Sequence, residues 1–217
     1  MTRNERIERL IQYFTEHNPD ADSELVYTNP FELLVATILS AKCTDRRVNS
    51  ITPTLFAHYP DAASMAKATE ADILALISSV SYPNSKARYL KGMATMLVND
   101  FDGKVPSTVA ELTRLPGVGR KTANVVEAVA FGKPAMPVDT HVFRVSHRLG
   151  LVSAQAKTPA EVEKTLVRLF PAHLLSKAHH WLLLHGRYVC TSRAPHCDTC
   201  PLEEICPKRM AHAKLQR

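Results

Sequence analysis

Apolar residues recur at helical spacing along most of this chain, and that periodicity constrains the fold more than any other feature. The segment FELLVATILSA at 31–41 is apolar nearly all round and predicts a core helix, with Asn29 as its N-cap and Pro30 at its first position. No sustained period-2 alternation bounded by turns occurs, so the sequence predicts no sheet. We therefore predict an all-α fold. A first set of residues, spaced at i, i+3, i+4 and i+7, forms one stripe of an amphipathic helix: Ile7, Leu10, Ile11 and Phe14.

The charge of the chain is unevenly distributed. The formal net charge is +6, but residues 1–108 carry 11 Lys and Arg against 13 Asp and Glu. Residues 109–217 carry 16 against 8. A basic half of this kind is typical of a protein that binds a polyanion, nucleic acid above all. The alternative from charge alone is a solvated surface that happens to be basic.

Two classes of protein are excluded by composition and hydropathy. Hydrophobic residues make up 45% and charged residues 22% of the 217 residues, which are ordinary globular values and exclude a disordered or fibrous chain. No apolar run reaches the roughly 18 residues that a membrane span needs. The N-terminal stretch is charged and lacks the apolar core that a secretory signal peptide has. We expect a soluble, cytoplasmic protein.

Four of the five cysteines lie within seventeen residues, in the pattern Cys190-x6-Cys197-x2-Cys200-x5-Cys206. Such a set of soft ligands is typical of a zinc site or an iron–sulfur cluster, and spacing rules alone do not separate the two. Cys43 lies outside the pattern, at the end of an apolar helix, and we interpret it as a small buried hydrophobic residue.

A glycine-containing turn interrupts the helical pattern at Leu115–Gly119. We predict a hairpin over about 108–131, made of a short helix at 108–114, this turn and a second helix at 120–131. Bare backbone N–H groups at a helix N-terminus favour an anion, so the hairpin is suited to bind a phosphate. The alternative is a plain helix–helix corner, and the basic pair Arg120 and Lys121 favours phosphate.

Two residues near this hairpin carry possible chemistry. Lys121 lies in the first turn of a predicted helix beside Arg120, where positive potential disfavours the ammonium form and favours a nucleophilic amine. The alternative is a solvated lysine that binds phosphate. Asp139 precedes the segment THVFRVSHRL and is predicted as its N-cap. If Asp139 faces Lys121 across a cleft, its carboxylate can also stabilise a developing cation.

Three motifs together make the chain recognisable. LPGVGRKTANVV at 115–126 and VDTHVFRVSHRLGL at 138–151 resemble the helix-hairpin-helix DNA glycosylases. The cysteine spacing resembles the endonuclease III branch of that family. The likeness runs from FELLVATILSAKCTD through HHWLLLHGRYVC to the last cysteine, and the motifs occur in the family's order.

The resemblance implies a base-excision-repair enzyme. Lys121 would be the nucleophile and Asp139 its essential acidic partner, and the four cysteines would hold a [4Fe-4S] cluster. The implied reaction removes oxidised or damaged pyrimidines from duplex DNA through a lysine Schiff base, then cleaves 3′ to the abasic site by β-elimination. The enzyme would be a monomer. Alternatives are a monofunctional glycosylase and a non-catalytic iron–sulfur protein that binds DNA or senses redox state.

The resemblance also implies a set of DNA contacts. Lys42 stands in SAKCTD where the family usually has a glutamine that fills the gap left by the flipped nucleotide. Tyr82 stands at the second wedge position, although its ring packed on the core is an equal alternative. Asp45 and His141 would border the pocket, and Arg193 would meet a phosphate. The hairpin residues expected at the phosphates are Gly117, Val118, Gly119 and Arg120.

The same resemblance predicts two helical domains with a DNA-binding groove between them. Residues 23–133 would form a six-helix barrel that ends in the hairpin. Residues 1–22 would pack with 134–217 as the cluster domain.

Overall fold

The structure, a computed structural model, describes residues 1–207, and this part of the chain is helical with no strand. The all-α prediction is confirmed. The chain divides into two compact units, Ser23–Lys133 and Met1–Asp22 with Pro134–Arg217. No helix among residues 1–207 combines the length and apolar character needed to cross a membrane.

The unit Ser23–Lys133 is organised around one apolar helix, α2. Asn29 caps α2 by accepting a hydrogen bond from the Glu32 N–H at 3.0 Å, and Pro30 occupies its first position, as the sequence predicts. Every residue from Leu33 to Leu39 is buried, and α2 packs against α3, α6 and α8. The helices of this unit are α2 (Pro30–Ser40), α3 (Asp45–His58), α4 (Ala62–Lys67), α5 (Glu70–Ile77), α6 (Pro83–Asp100), α7 (Val109–Leu112) and α8 (Arg120–Phe131).

The second unit joins the N-terminal helix to the C-terminal half of the chain. The Trp181 ring is buried and stacks on Phe14, with 5.6 Å between ring centroids. Its indole N–H donates to the Asn18 carbonyl at 2.9 Å, so the ring joins the N-terminal segment of the unit to its C-terminal segment. The helices are α1 (Arg3–His17), α9 (Thr140–Arg148), α10 (Pro159–Leu169) and α11 (Leu175–Tyr188), with 3-10 turns at Ala172–Leu174 and Cys197–Thr199.

Candidate active site and nucleic-acid interface

The hairpin of the first unit depends on one glycine that no other residue can replace without strain. Gly117 has φ +80°, and a Cβ at this position would lie 2.8 Å from the Cβ of Tyr89. The Val118 N–H donates to the Leu115 carbonyl at 3.1 Å and closes the turn. The Val118 side chain is buried. The turn is therefore held by its own hydrogen bond, by Val118 and by close contact with α6.

The N-terminus of α8 presents backbone donors without a side-chain cap. Gly119 is the cap residue and contributes no side-chain hydrogen bond. Within residues 1–207, eight of the eleven α-helices do begin at a residue whose side chain caps the helix. A Cβ at Gly119 would meet nothing within 4 Å, so the space in front of this helix is open. This geometry suits a bound anion.

Lys121 lies in the first turn of α8 with its side chain exposed. The opposite face of α8 is buried and includes Ala123, Asn124 and Val126. Burial of that face fixes the rotation of the helix, so Lys121 projects from the accessible side. The amine is thus available to a ligand at the helix N-terminus.

Asp139 caps α9 in the second unit, and the predicted cap is confirmed. Its Oδ1 accepts a hydrogen bond from the Val142 N–H at 2.7 Å. The residue is half-buried, and its neighbour Val138 is buried. Because the cap uses one carboxylate oxygen in a fixed direction, the orientation of the Asp139 side chain is set by α9 itself.

The loops that carry Lys42 and Tyr82 hold both residues in left-handed backbone conformations. Each has φ +57°, which costs a non-glycine residue about 1–3 kcal/mol. Lys42 is exposed between α2 and α3, and Tyr82 is 70% exposed as the cap residue of α6. The Tyr82 ring therefore does not pack on the core. Asp45 is half-buried in the first turn of α3.

The sequence does not predict two buried or half-buried cations, Lys86 and Arg144. Lys86 is 4% exposed on α6 and donates to two backbone carbonyls of another segment. Arg144 on α9 donates to the carbonyls of Gly186, at 2.7 Å, and Cys190, at 3.2 Å. Burial is the main cause that lowers the pKa of Arg144, and the charge of Arg148 lowers it further. Apart from contacts that Arg144 makes within its own helix, the partners lie more than 40 residues away, so helical periodicity gives no signal for them.

His141 is held against α11 by Arg144. Its Nδ1 lies 3.2 Å from Nη2 of Arg144, which also donates to the Gly186 carbonyl. A Cβ at Gly186 would come within 2.9 Å of the His141 Cβ, so a glycine there permits the two helices to approach. His141 lies two residues after Asp139 and is half-buried.

The four clustered cysteines are all half-buried. Burial raises the pKa of the Cys200 thiol, and the charges of Cys190, Cys206 and Cys197 raise it further. As the side chains stand, no group of three or more His, Cys, Asp or Glu residues in positions 1–207 is arranged to hold a metal ion. Four cysteine thiols are nevertheless a donor set of the chemistry that iron–sulfur clusters use.

Arg148 holds the first part of the cysteine loop. It is 6% exposed, and its Nη1 lies 3.3 Å from the Cys190 sulfur. It also donates to the carbonyls of Thr191, at 2.6 Å, and Ser192, at 2.9 Å. The next residue, Arg193, is exposed. The buried cation thus fixes the loop from which Arg193 projects.

The match to known families defines the class of this protein. Residues 35–172 match the family described as HhH-GPD superfamily base excision DNA repair protein. This segment contains the hairpin, Lys121 and Asp139 and covers more than half of the chain. Fold and hairpin together therefore define a helix-hairpin-helix protein of base excision repair.

Relatives and solved structures identify the branch. Endonuclease III of Rickettsia conorii is 44% identical over 200 residues, which cover 92% of this chain and 94% of the relative. Endonuclease III of Bacillus subtilis is 44% identical over 206 residues, covering 95% and 94%. A solved structure described as a trapped endonuclease III–DNA covalent intermediate, in an estranged-adenine complex, matches with a TM-score of 0.90 and 41% identity over the whole of both chains. The chain belongs to the endonuclease III family within the HhH-GPD superfamily.

Proposed function

We propose that Lys121 is the nucleophile and Asp139 the acidic partner in this chain's repair reaction. The chain is a base-excision DNA glycosylase with an associated lyase activity, as its family and its structural likeness to a covalent DNA intermediate indicate. The single observation that carries the assignment of the nucleophile is the exposed Lys121 amine at the uncapped N-terminus of α8. The same helix end can receive a phosphate of the bound strand.

The proposed substrate is duplex DNA that contains an oxidised or otherwise damaged pyrimidine, or an abasic site. The damaged nucleotide leaves the stack, at a cost that damage reduces. Neutral Nζ of Lys121 attacks C1′ of the deoxyribose, and the bond from C1′ to the base breaks with its electron pair moving to the base. The Asp139 carboxylate stabilises the positive charge that develops on the sugar during this step.

The strand is then cut by elimination. The sugar ring opens as O4′ takes up a proton, and C1′ becomes a Schiff base with Nζ of Lys121. Loss of the C2′ proton expels the 3′ phosphate from C3′, and water later hydrolyses the Schiff base to release the enzyme. In this series of reaction steps the same amine acts in base release and in strand cutting. A single residue, Lys121, therefore decides both the glycosylase and the lyase activity.

We propose that the DNA contacts come from the exposed loops described above. The backbone turn of Gly117, Val118 and Gly119, closed by the Val118 N–H, would with Arg120 hold a phosphate without reading a base. Lys42 and Tyr82 would enter the space that the extruded nucleotide leaves, Tyr82 by stacking its ring on a base. Asp45, His141 and Arg193 are proposed at the edge of the bound strand. We further propose that the enzyme acts as a monomer.

We propose that Cys190, Cys197, Cys200 and Cys206 hold a [4Fe-4S] cluster, and that the unit which contains them is the cluster domain. The cluster's contribution would be structural, since the loop at 190–206 has few apolar residues of its own. An analysis of iron and acid-labile sulfide tests this: four of each per chain and a brown protein are expected. Cys200→Ser should lose both, while the control Cys43→Ser should keep them. One zinc ion and a colourless protein would exclude an iron–sulfur cluster.

The catalytic proposal is tested with end-labelled duplexes that contain thymine glycol or an abasic site. Wild type should release the damaged base from the first duplex and cut the lesion-containing strand of each duplex at the lesion. Lys121→Ala and Asp139→Asn should bind these duplexes but neither release the base nor cut, and the exposed-lysine control Lys104→Ala should behave as wild type. Base release without cutting identifies a monofunctional glycosylase. Binding without any reaction identifies a non-catalytic DNA-binding protein.

A further inference from the structure

Lys86 connects the two loops that carry Lys42 and Tyr82. Its Nζ donates to the carbonyl of Leu39 at 2.7 Å and to that of Ala41 at 2.8 Å. Ala41 is the residue immediately before Lys42. The backbone N–H of the same Lys86 donates to the Tyr82 carbonyl at 3.2 Å. The Lys86 side chain therefore bonds the Lys42 loop to the first turn of α6, and the main-chain bond to Tyr82 is the one that any residue at this helix position makes.

The two loops share an unusual conformation. Within residues 1–207, only three non-glycine residues have positive φ, and Lys42 and Tyr82 are two of them. Both have exposed side chains, so burial of those side chains cannot be what holds them there. Left-handed backbone in a non-glycine residue persists only where the surroundings fix it. The Lys86 side chain supplies such a restraint beside Lys42 and ties that loop to α6, the helix that begins directly after Tyr82.

The Lys86 ammonium donates its hydrogen bonds at the C-terminus of α2. The last carbonyls of α2 have no partner within the helix and carry partial negative charge, which a cation stabilises. An ammonium that donates to the carbonyls at 39 and 41 ends α2 and sets where the chain turns toward Lys42. Burial lowers the pKa of Lys86, and the charge of Cys43 opposes this shift. A neutral residue would satisfy these carbonyls less well.

We propose that Lys86 is a positioning residue for lesion extrusion: it fixes the Lys42 loop and the Tyr82 loop as one unit so that both side chains enter the DNA stack together. This inference rests on the proposed function, in which these two residues replace the extruded nucleotide. Lys86 touches neither the sugar nor Lys121 in this proposal. It acts on the step that opens the duplex and not on bond cleavage.

The test compares a substrate that must be extruded with one that is already open. Lys86→Met should reduce excision of thymine glycol from a fully paired duplex at least tenfold. Cutting at an abasic site in single-stranded DNA, where no base has to leave a stack, should fall by no more than about twofold. Fluorescence of 2-aminopurine beside the lesion, which reports unstacking directly, should rise more slowly in the variant than in wild type.

The control is Lys91→Met, because Lys91 lies on the same helix and also donates to a backbone carbonyl, that of Ala66. It removes a comparable contact away from both loops and should leave the ratio of the two activities unchanged. If Lys86→Met does not fold, as judged by circular dichroism, Lys86→Arg provides the comparison. It keeps the charge but places its donors differently, and the same selective loss, at least threefold, is expected.

The outcomes separate this inference from the function on which it rests. Equal loss on the paired and the single-stranded substrate, or the same selective loss in Lys91→Met, overturns the positioning role while the proposed function stands. If wild type acts on neither substrate, the proposed function itself is wrong. Normal 2-aminopurine kinetics in Lys86→Met would also overturn the inference, whatever the overall rate.

Discussion

Replacing Gly117 with alanine tests the reasoning about the hairpin most sharply. Alanine at φ +80° is in a left-handed conformation that costs roughly 1–2 kcal/mol. Its Cβ would also lie 2.8 Å from the Tyr89 Cβ, a stem atom that cannot move without shifting α6. Overpacking of this kind costs about 1–3 kcal/mol. We therefore expect Gly117→Ala to lower the free energy of unfolding by roughly 2–5 kcal/mol.

The matched control lies two residues away. Gly119 has an ordinary extended backbone with φ −85°, and a Cβ there would meet nothing within 4 Å. Gly119→Ala should cost less than about 1 kcal/mol, through a weaker N-cap only. Thermal unfolding followed by circular dichroism measures both, with a decrease of roughly 5–15 °C expected for Gly117→Ala and about 3 °C or less for the control. Equal decreases in the two variants would refute the close-contact argument.

Three further predictions concern the helix cap, a buried histidine and the phosphate contact. Asp139→Ser keeps a capping oxygen, so stability should change by only a few tenths of a kcal/mol, while base excision is lost; Asp139→Ala should lose about 1 kcal/mol as well. Equal stability of the two variants by urea unfolding would contradict the cap. Burial lowers the pKa of His180 below its usual 6.5, although Asp22 opposes this. As pH falls below about 6.5, the unfolded chain therefore takes up a proton that the folded chain does not, and the free energy of unfolding decreases. Between pH 7.5 and 5, the urea midpoint of His180→Gln should decrease less than that of wild type. The same pH dependence in both proteins would contradict this prediction. DNA binding should weaken steeply with salt, and Arg120→Ala should reduce the slope of log K against log salt by about 1; an unchanged slope would exclude Arg120 from the phosphate.

The sequence predicted those parts of the fold that local chemistry determines. The hairpin's second helix was expected over 120–131, and α8 occupies Arg120–Phe131. Asn29 and Asp139 are N-caps as expected, because capping depends on residues within one turn. The all-helical class followed from periodicity, which is also a local property.

The parts that the sequence did not predict depend on contacts between distant segments. Lys86 can be buried because carbonyls at the end of α2 accept its hydrogen bonds. The sequence around residue 86 does not predict these contacts. Arg144 and Arg148 have no distinguishing pattern in the sequence, because their contacts are with α11 and with the cysteine loop, which are distant along the chain. The ring of Tyr82 had two equal alternatives, and only its 70% exposure separates them.

Base release and strand cutting, as proposed, both require one covalent bond between Nζ of Lys121 and C1′ of the deoxyribose. Sodium borohydride reduces a Schiff base to a stable amine, so wild type incubated with an abasic-site duplex and borohydride should yield a protein–DNA adduct. Mass spectrometry of the digested adduct should place the DNA on Lys121, and Lys121→Ala should give none. An adduct that persists in Lys121→Ala, or one that maps to another residue, contradicts the account.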